Sequence, residues 1–258
     1  MKSICSGIIR ILVLVAQIGD QSQFSIINSG ILNTIDEVVL IHISHRPLIM
    51  NIFTLFEILS STNEGSDYLA THCCFSISIK VLQRFMKEES TEYDDIMKKA
   101  LLIIQRIIGK RSDAMSFFLE AQGYPTVVRV STLKTVSRIV RQTGLSCLMF
   151  LLQNEMGDDQ LRPLDLLPTL FQSENDVSWM TSIWMCCSYY IEYHYPLLTP
   201  SDISLVYDNA LQYMSISMED RNLVTAIIRT LFVCVTSPIL LKTNKVEFKS
   251  ICCYLFDY

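Results

Sequence analysis

The residue types that most often carry out chemistry are few in this sequence of 258 residues. Its four histidines are His42, His45, His72 and His194. A nucleophilic centre needs a histidine close to a cysteine or serine, with a carboxylate to orient it. Only His72 stands next to a cysteine, and it does so in an apolar run. Because GxGxxG, GxxxxGK[ST], GxSxG and HExxH are also absent, we predict a protein that is not an enzyme and takes no small-molecule substrate.

Possible metal ligands are concentrated in two separate segments, one with two histidines and one with a histidine and two cysteines. They are His42, His45, His72, Cys73 and Cys74. The sequence contains no CxxC pair, and the two groups lack the spacing of zinc ligands. We therefore predict packed thiols and half-exposed histidines, with no metal and no cofactor.

The composition excludes several classes of protein. The net charge is −5 and the pI about 5.4, so we expect no basic surface for nucleic acid. Half of the residues are hydrophobic and 18% are charged, which predicts a folded chain. The apolar windows 223–241 and 7–18 contain Arg229 and Arg10, and the second window is short for a membrane span. We therefore predict a soluble protein of the cytoplasm, the nucleus or both.

The nine cysteines are predicted to be reduced. Six of them form adjacent pairs inside apolar segments: Cys73–Cys74, Cys186–Cys187 and Cys252–Cys253. Neighbours on a helix point about a hundred degrees apart, so such pairs do not form ordinary disulfides with one another. Since no clear signal peptide precedes them, we expect these thiols to act as small core side chains.

Helical periodicity dominates the chain. Apolar residues follow the i, i+3, i+4, i+7 rule over Pro47–Ser60, Tyr93–Ile108 and Arg221–Val235. Eight glycines and seven prolines are few for the many turns of a β-sandwich or barrel. No segment makes a convincing strand, so the sequence predicts an all-α protein.

Three segments share one order: a polar start, an apolar helix, a corner and a second apolar helix. They are Asp20–Leu40 with its corner at Gly30, Ser66–Met86 with its corner near Thr71, and Ser112–Val130 with its corner at Gly123. The longer helices lie between them. A period of about 40 residues is typical of helical solenoids. We predict one domain over residues 1–258, a right-handed α-solenoid of about five to six repeats, with an acidic loop insertion near 87–95.

Two sequences at these corners resemble the armadillo repeat. They are FSIINSGILNTI, Phe24–Ile35, and FLEAQGYPTVV, Phe118–Val128. Glycine permits a tight corner between two helices, and proline is tolerated in the first turn because no backbone donor is needed there. The resemblance implies an armadillo-type superhelix, with the HEAT repeat as the alternative.

A long-helix sequence, SIWMCCS (Ser182–Ser188), is similar to ALWALSN of the importin-α family. Trp184 falls at the family's tryptophan position and Ser188 at its asparagine position. In that family the indole is a wall for a basic side chain, and the asparagine binds the peptide backbone. The corresponding positions elsewhere are Phe53 with Glu57, and Leu102 with Arg106. Core packing of Trp184 is the alternative.

The importin-α resemblance implies an adaptor that binds a protein or extended peptide on a concave face. The implied binding residues are Trp184, Ser188, Phe53, Glu57 and Arg106. Nuclear import with altered signal pockets is one expectation, because the tryptophan–asparagine pairs are mostly lost. The Trp184 helix also resembles the importin-α-like group called transmembrane and coiled-coil domain-containing proteins.

Two further functions stay open. One is a scaffold of a cytoskeletal, ciliary or other assembly, which predicts a large exposed apolar patch. The other is a membrane-associated helical protein. Neither end of the sequence shows the polar face of a terminal repeat, so we expect a longer natural chain or a partner that covers the ends.

Overall fold

The computed structural model describes residues 2–88, 90–111, 113–153, 166–171, 176–194, 198–216 and 219–236. Over these ranges the chain forms helices and turns and no β-strand, which confirms the all-α prediction. The chain divides into two compact units, Met1–Leu148 and Met149–Tyr258. The single domain over residues 1–258 stays a prediction.

The first unit alternates one long helix with two shorter ones. The long helices are α1 (Lys2–Ala16), α4 (Arg46–Leu59), α7 (Asp94–Lys110) and α10 (Arg138–Gln153), which runs past the end of this unit. The shorter helices are α2 (Asp20–Asn28), α3 (Ile35–His42), α5 (Asn63–Thr71), α6 (Cys74–Phe85), α8 (Ala114–Glu120) and α9 (Gly123–Thr132). Single 3-10 turns precede α3 and α7, at Ile31–Thr34 and Thr91–Tyr93.

The repeat is visible in the contacts between successive helices of the first unit. The amine of Lys80 on α6 lies 3.0 Å from a carboxylate oxygen of Asp36 on α3, 44 residues earlier. The amide of Gln83 donates to Thr126 on α9, 43 residues later, at 3.1 Å. Equivalent helices therefore pack side by side with the predicted period of about 40 residues.

The two glycine corners are built differently. Gly30 has a φ of 72°, a left-handed conformation that glycine adopts at little cost, as predicted. The second corner lies where predicted, between the end of α8 at Glu120 and the start of α9 at Gly123, but its left-handed residue is Gln122, with a φ of 59°. Gly123 begins α9, where an added Cβ would lie 2.2 Å from the ring of Phe118. Close packing of two helices, and not backbone conformation, requires this glycine.

The acidic stretch 87–95 is not a loop throughout. Thr91–Tyr93 forms a 3-10 turn, and Asp94 and Asp95 form the first turn of α7. Carboxylates at this position are favourable because the helix dipole is positive at its N-terminus. The predicted loop is therefore shorter than the acidic run.

The second unit contains α11 (Leu166–Phe171), α12 (Val177–His194), α13 (Pro200–Ile216) and α14 (Arg221–Thr236). Helices α12 and α14 pack against each other. Helix α13 begins at Pro200 because Thr199 and Asp202 cap each other: the backbone N–H of Thr199 donates to the Asp202 carboxylate at 2.8 Å, and that of Asp202 to the Thr199 hydroxyl at 3.3 Å.

The described cysteines are free thiols, and six of the seven are buried. The buried ones are Cys73, Cys74, Cys147, Cys186, Cys187 and Cys234. Burial raises the pKa of Cys73 and of Cys234 to about 12, so neither forms a thiolate readily. This confirms the prediction of core thiols for these positions, whereas Cys252 and Cys253 lie outside the described residues.

The described helices differ in length and in hydrophobicity. No single helix among them is both long enough and apolar enough to cross a membrane. The pair Asp20–Asn28 and Ile31–His42, bent by 60°, passes the same test by length and composition.

Candidate functional site

Trp184 lies in the core of the second unit. Its side chain is fully buried, with its ring centre 4.9 Å from that of Phe171 and 6.4 Å from that of Tyr213. Ser188, one turn later, is also fully buried, and its hydroxyl donates to the main-chain oxygen of Met185 at 2.8 Å. The expectation that these two side chains line an open groove is wrong, because α12 turns them toward α11, α13 and α14.

Phe53 is buried as well. Its ring packs edge-on against Phe56 at 6.2 Å, on the apolar side of α4. Large aromatic side chains contribute most when they are fully packed, so Phe53 acts in the core of the first unit. It offers no wall to a bound peptide.

Glu57 and Arg106, in contrast, meet on the surface of the first unit. Lys99 on α7 lies 2.6 Å from the carboxylate of Glu57 on α4. Arg106, two turns further along α7, donates to the main-chain oxygen of Glu57 at 2.9 Å. Leu102 sits between the two cations along α7 and is 51% exposed. We call these four residues the charged face.

The charged face is more cationic than anionic. Lys110 lies on the same side of α7 and donates to the main-chain oxygens of Ser60 and Ser61, both at 2.7 Å. The hydrogen bond from Lys99, helped by the charges of Lys99 and Arg106 and opposed by partial burial, holds the pKa of Glu57 below its ordinary value. Glu57 is thus ionised at neutral pH and fixed by cations from the next repeat.

The second unit presents a different surface, on α12 and α14. The guanidinium of Arg229 lies over the ring of Tyr189 at 4.9 Å and pairs with Glu192 at 3.5 Å. Tyr193 stacks one turn after Tyr189, with ring centres 6.5 Å apart. Phe232, one turn after Arg229, is 64% exposed. We call these five residues the aromatic face.

The residues predicted to bind a partner include none of the aromatic face, although the sequence holds a signal for it. Arg229 is the single charge in the apolar window 223–241. Along α12 the half-buried Tyr189 is followed by the exposed Glu192 and Tyr193, and along α14 the exposed Arg229 and Phe232 follow each other with helical spacing. Helix α12 is apolar on nearly every side, so its sequence does not distinguish Trp184, which is buried, from Tyr193, which is exposed.

Over the ranges that the structure describes, His, Cys, Asp and Glu side chains nowhere come together in groups of three or more that could hold a metal ion. What the two faces offer is charge, aromatic surface and hydrogen-bonding groups on packed helices. Such a set can hold another molecule in place.

Solved structures with this fold were found by comparison. One engineered protein is 13% identical, with a TM-score of 0.61, over 92% of this chain and 92% of that chain. Computationally designed armadillo repeat proteins for modular peptide recognition are 14% identical, with a TM-score of 0.58, over 87% of this chain and 91% of theirs. No family model and no curated protein sequence matches the chain.

At this identity the likeness shows the fold alone. The chain is an all-α solenoid of the armadillo type. This confirms the fold class that the repeats predicted.

Proposed function

We propose that this chain is a non-enzymatic scaffold that binds another protein through the exposed sides of its long helices. The observation that carries the proposal is the aromatic face. It exposes Phe232 and Tyr193 beside an arginine that is already oriented. Tyrosine and arginine are enriched among the residues that dominate binding energy, because they combine a large contact area with hydrogen bonding.

The fold agrees with this proposal. The designed armadillo repeat proteins to which the chain is similar are made for modular peptide recognition. A stack of helices presents side chains at regular intervals, and an extended segment can contact several of them in turn. An extended segment of a partner protein is therefore the ligand that we propose for this chain.

The charged face is proposed as a second contact. Its two cations and one carboxylate are held in fixed positions, so a bound segment would meet charges that have already lost their conformational freedom. Leu102 between them offers an apolar contact. Glu57 and Arg106 therefore remain proposed binding residues, whereas a role for Trp184, Ser188 or Phe53 would require these buried side chains to leave the core.

Nuclear import is a more specific version of this proposal. The charges on the two faces argue against a basic nuclear signal as the ligand. A basic signal needs exposed tryptophan walls and carboxylates. On the charged face the single carboxylate already pairs with Lys99, and two cations would repel a basic segment. We propose that an acidic or neutral segment binds here.

The proposal is tested by selection from a displayed library of segments about 15 residues long, an extent that matches several repeats. Segments enriched on the wild-type protein are then titrated against a Tyr193→Ala/Phe232→Ala variant by fluorescence anisotropy. Leu211→Ala is the matched control, because Leu211 is as exposed as Tyr193, at 40%, but lies on α13.

We expect the double variant to lose at least about tenfold in affinity, since truncating a hot-spot residue costs about 2 kcal/mol. The control should bind like the wild type. A lysine-rich signal peptide, titrated in parallel, should bind more weakly than the selected segments. If no segment is enriched, or if all bind the double variant unchanged, the proposed function is wrong.

A further inference from the structure

The first helix carries a row of apolar side chains that nothing in the described structure covers. The row consists of Ile4, Ile8, Ile11 and Leu14, which are 46% to 66% exposed, and it is followed by Ile18, 77% exposed, in the turn after the helix. We propose that this row, the α1 stripe, docks against the α1 stripe of a second copy of the chain. This inference goes beyond the proposed function and does not depend on it.

The stripe lies on the side of α1 that faces away from its own unit. Ile9, Val13 and Ala16 are buried, and α1 packs on α4 and α2. Ile9 and Ile11 are two residues apart and so point to nearly opposite sides of the helix. Helix α1 is thus apolar on both sides, which is typical of a helix with partners on both sides.

The next long helix, α4, has a packing partner on each of its two sides. Helix α4 packs on α1 with one side and on α7 with the other. Most of its apolar residues, including Phe53 and Phe56, are buried as a result. Helix α1 makes only one of these two long-helix contacts within the described residues. The α1 stripe therefore continues an interface that already exists inside the first unit.

The pattern of the stripe favours a second copy as the occupant. Within α1 it is symmetric about Ile11, because Ile8 and Leu14 are each three residues away. A two-fold axis at Ile11 would set two antiparallel stripes face to face, with Ile8 of one copy opposite Leu14 of the other. Isologous contacts of this kind are the commonest in soluble oligomers.

Sterics and charge are compatible with this pairing. Gly7 lies beside the stripe, and no heavy atom comes within 4 Å of the position its Cβ would occupy, so a second helix can approach closely there. The stripe contains no charged residue. Arg10 precedes Ile11 and lies about a hundred degrees from it around the helix, which places its guanidinium at the edge of the stripe, where it can extend into water.

The mass of the full chain in solution tests the proposal. Sedimentation equilibrium over a concentration series should give twice the chain mass of 29.6 kDa for the wild type. Ile11→Glu should halve that mass, because two carboxylates would be buried without partners at the centre of the interface. The matched control is Ile139→Glu on α10, since Ile139 is 60% exposed and Ile11 61%. It should remain a dimer.

A second variant tests the proposal independently, in case Ile11→Glu does not fold. Ile11→Cys should form a disulfide-linked dimer under mild oxidation, because a two-fold axis at position 11 sets the two thiols opposite each other. Wild type and Ile139→Cys should form no such crosslinked dimer. The wild type also controls for crosslinking through Cys5, which is partly exposed.

Several results would overturn the proposal. One is a wild-type monomer throughout the series. Another is a dimer whose mass Ile11→Glu leaves unchanged and that Ile11→Cys does not crosslink. A monomer that floats with neutral lipid vesicles, and ceases to do so with Ile11→Glu, would identify a membrane as the occupant instead.

Discussion

The hydroxyl of Thr230 on α14 is buried and lies 3.0 Å from the main-chain oxygen of Trp184 on α12, and 2.9 Å from that of Ala226 on its own helix. Thr230 and Trp184 are 46 apart in sequence, the same separation as Cys147 and Leu101, whose contact joins α10 to α7. Trp184 therefore lies at the packing interface between α12 and α14. Its role is structural in this arrangement, and partner contacts are left to the side chains around it.

Thr230→Val should destabilise the protein by about 1 kcal/mol, the net value of one buried hydrogen bond. The substitution keeps the shape of the side chain and removes the hydroxyl. Thr225→Val is the control: Thr225 is exposed on the same helix, and its hydroxyl bonds only to Arg221 of its own helix, at 2.7 Å. Urea unfolding should show a lower midpoint for Thr230→Val and little change for the control. Equal effects would contradict the proposed link between α12 and α14.

The long helices and their period could be predicted from the sequence. Helix α4 was expected over Pro47–Ser60 and is Arg46–Leu59, and α14 was expected over Arg221–Val235 and is Arg221–Thr236. Apolar residues recur with helical spacing along both helices, so periodicity is a sufficient signal. The use of Gly123 could not be predicted, because it depends on how closely α8 and α9 approach through the ring of Phe118.

Gly123→Ala should cost about 1 to 3 kcal/mol, the usual range for overpacking. The added methyl group would lie 2.2 Å from the ring of Phe118, which must move. In a Phe118→Leu background the same substitution should cost clearly less, since the ring is gone. Thermal or urea unfolding of the four proteins gives the coupling between the two sites. If Gly123→Ala costs the same stability in the Phe118→Leu background as in the wild type, close approach to the Phe118 ring does not explain this glycine.

Glu57→Gln should lower the unfolding free energy at pH 7 by up to about 1 kcal/mol, because exposed ion pairs contribute little more. The pKa of Glu57 is held below its ordinary value of 4.5, chiefly by the Lys99 hydrogen bond. The folded state thus favours the ionised form. Its contribution is complete above pH 4.5 and disappears as the pH falls through the lowered pKa.

Urea unfolding of wild type and Glu57→Gln at pH 7 and pH 3 checks this. The difference in unfolding free energy between the two proteins should be smaller at pH 3 than at pH 7, and smaller in high salt. Glu120→Gln is the control, since Glu120 is exposed and has no ion pair within the described residues. If wild type and Glu57→Gln differ in unfolding free energy by the same amount at both pH values, the loss of stability comes from packing and not from the charge of Glu57.

Alkylation by iodoacetamide should label Cys5 in the native protein and spare Cys73 and Cys234. Cys5 is only partly buried, whereas burial raises the pKa of the other two thiols to about 12. Peptide mapping before and after unfolding in urea gives, for each cysteine, the ratio of native labelling to labelling in the unfolded chain. Rapid native labelling of Cys73 or Cys234 would show that the helices around it open readily.

Less of the binding surface than of the fold could be predicted. Glu57 and Arg106 were selected by their offset in the importin-α pattern, and they do meet on the surface. The same pattern selected Trp184 and Phe53, which are buried. A resemblance assigns a position along a helix, but exposure depends on which neighbours cover that side of the helix.

The affinity of a selected segment for the Tyr193→Ala/Phe232→Ala variant tests the central claim most directly. Fluorescence anisotropy should give a Kd at least about tenfold above that of the wild type, and no such increase for Leu211→Ala. The result that would contradict the account is a segment that binds the double variant and the wild type with equal affinity.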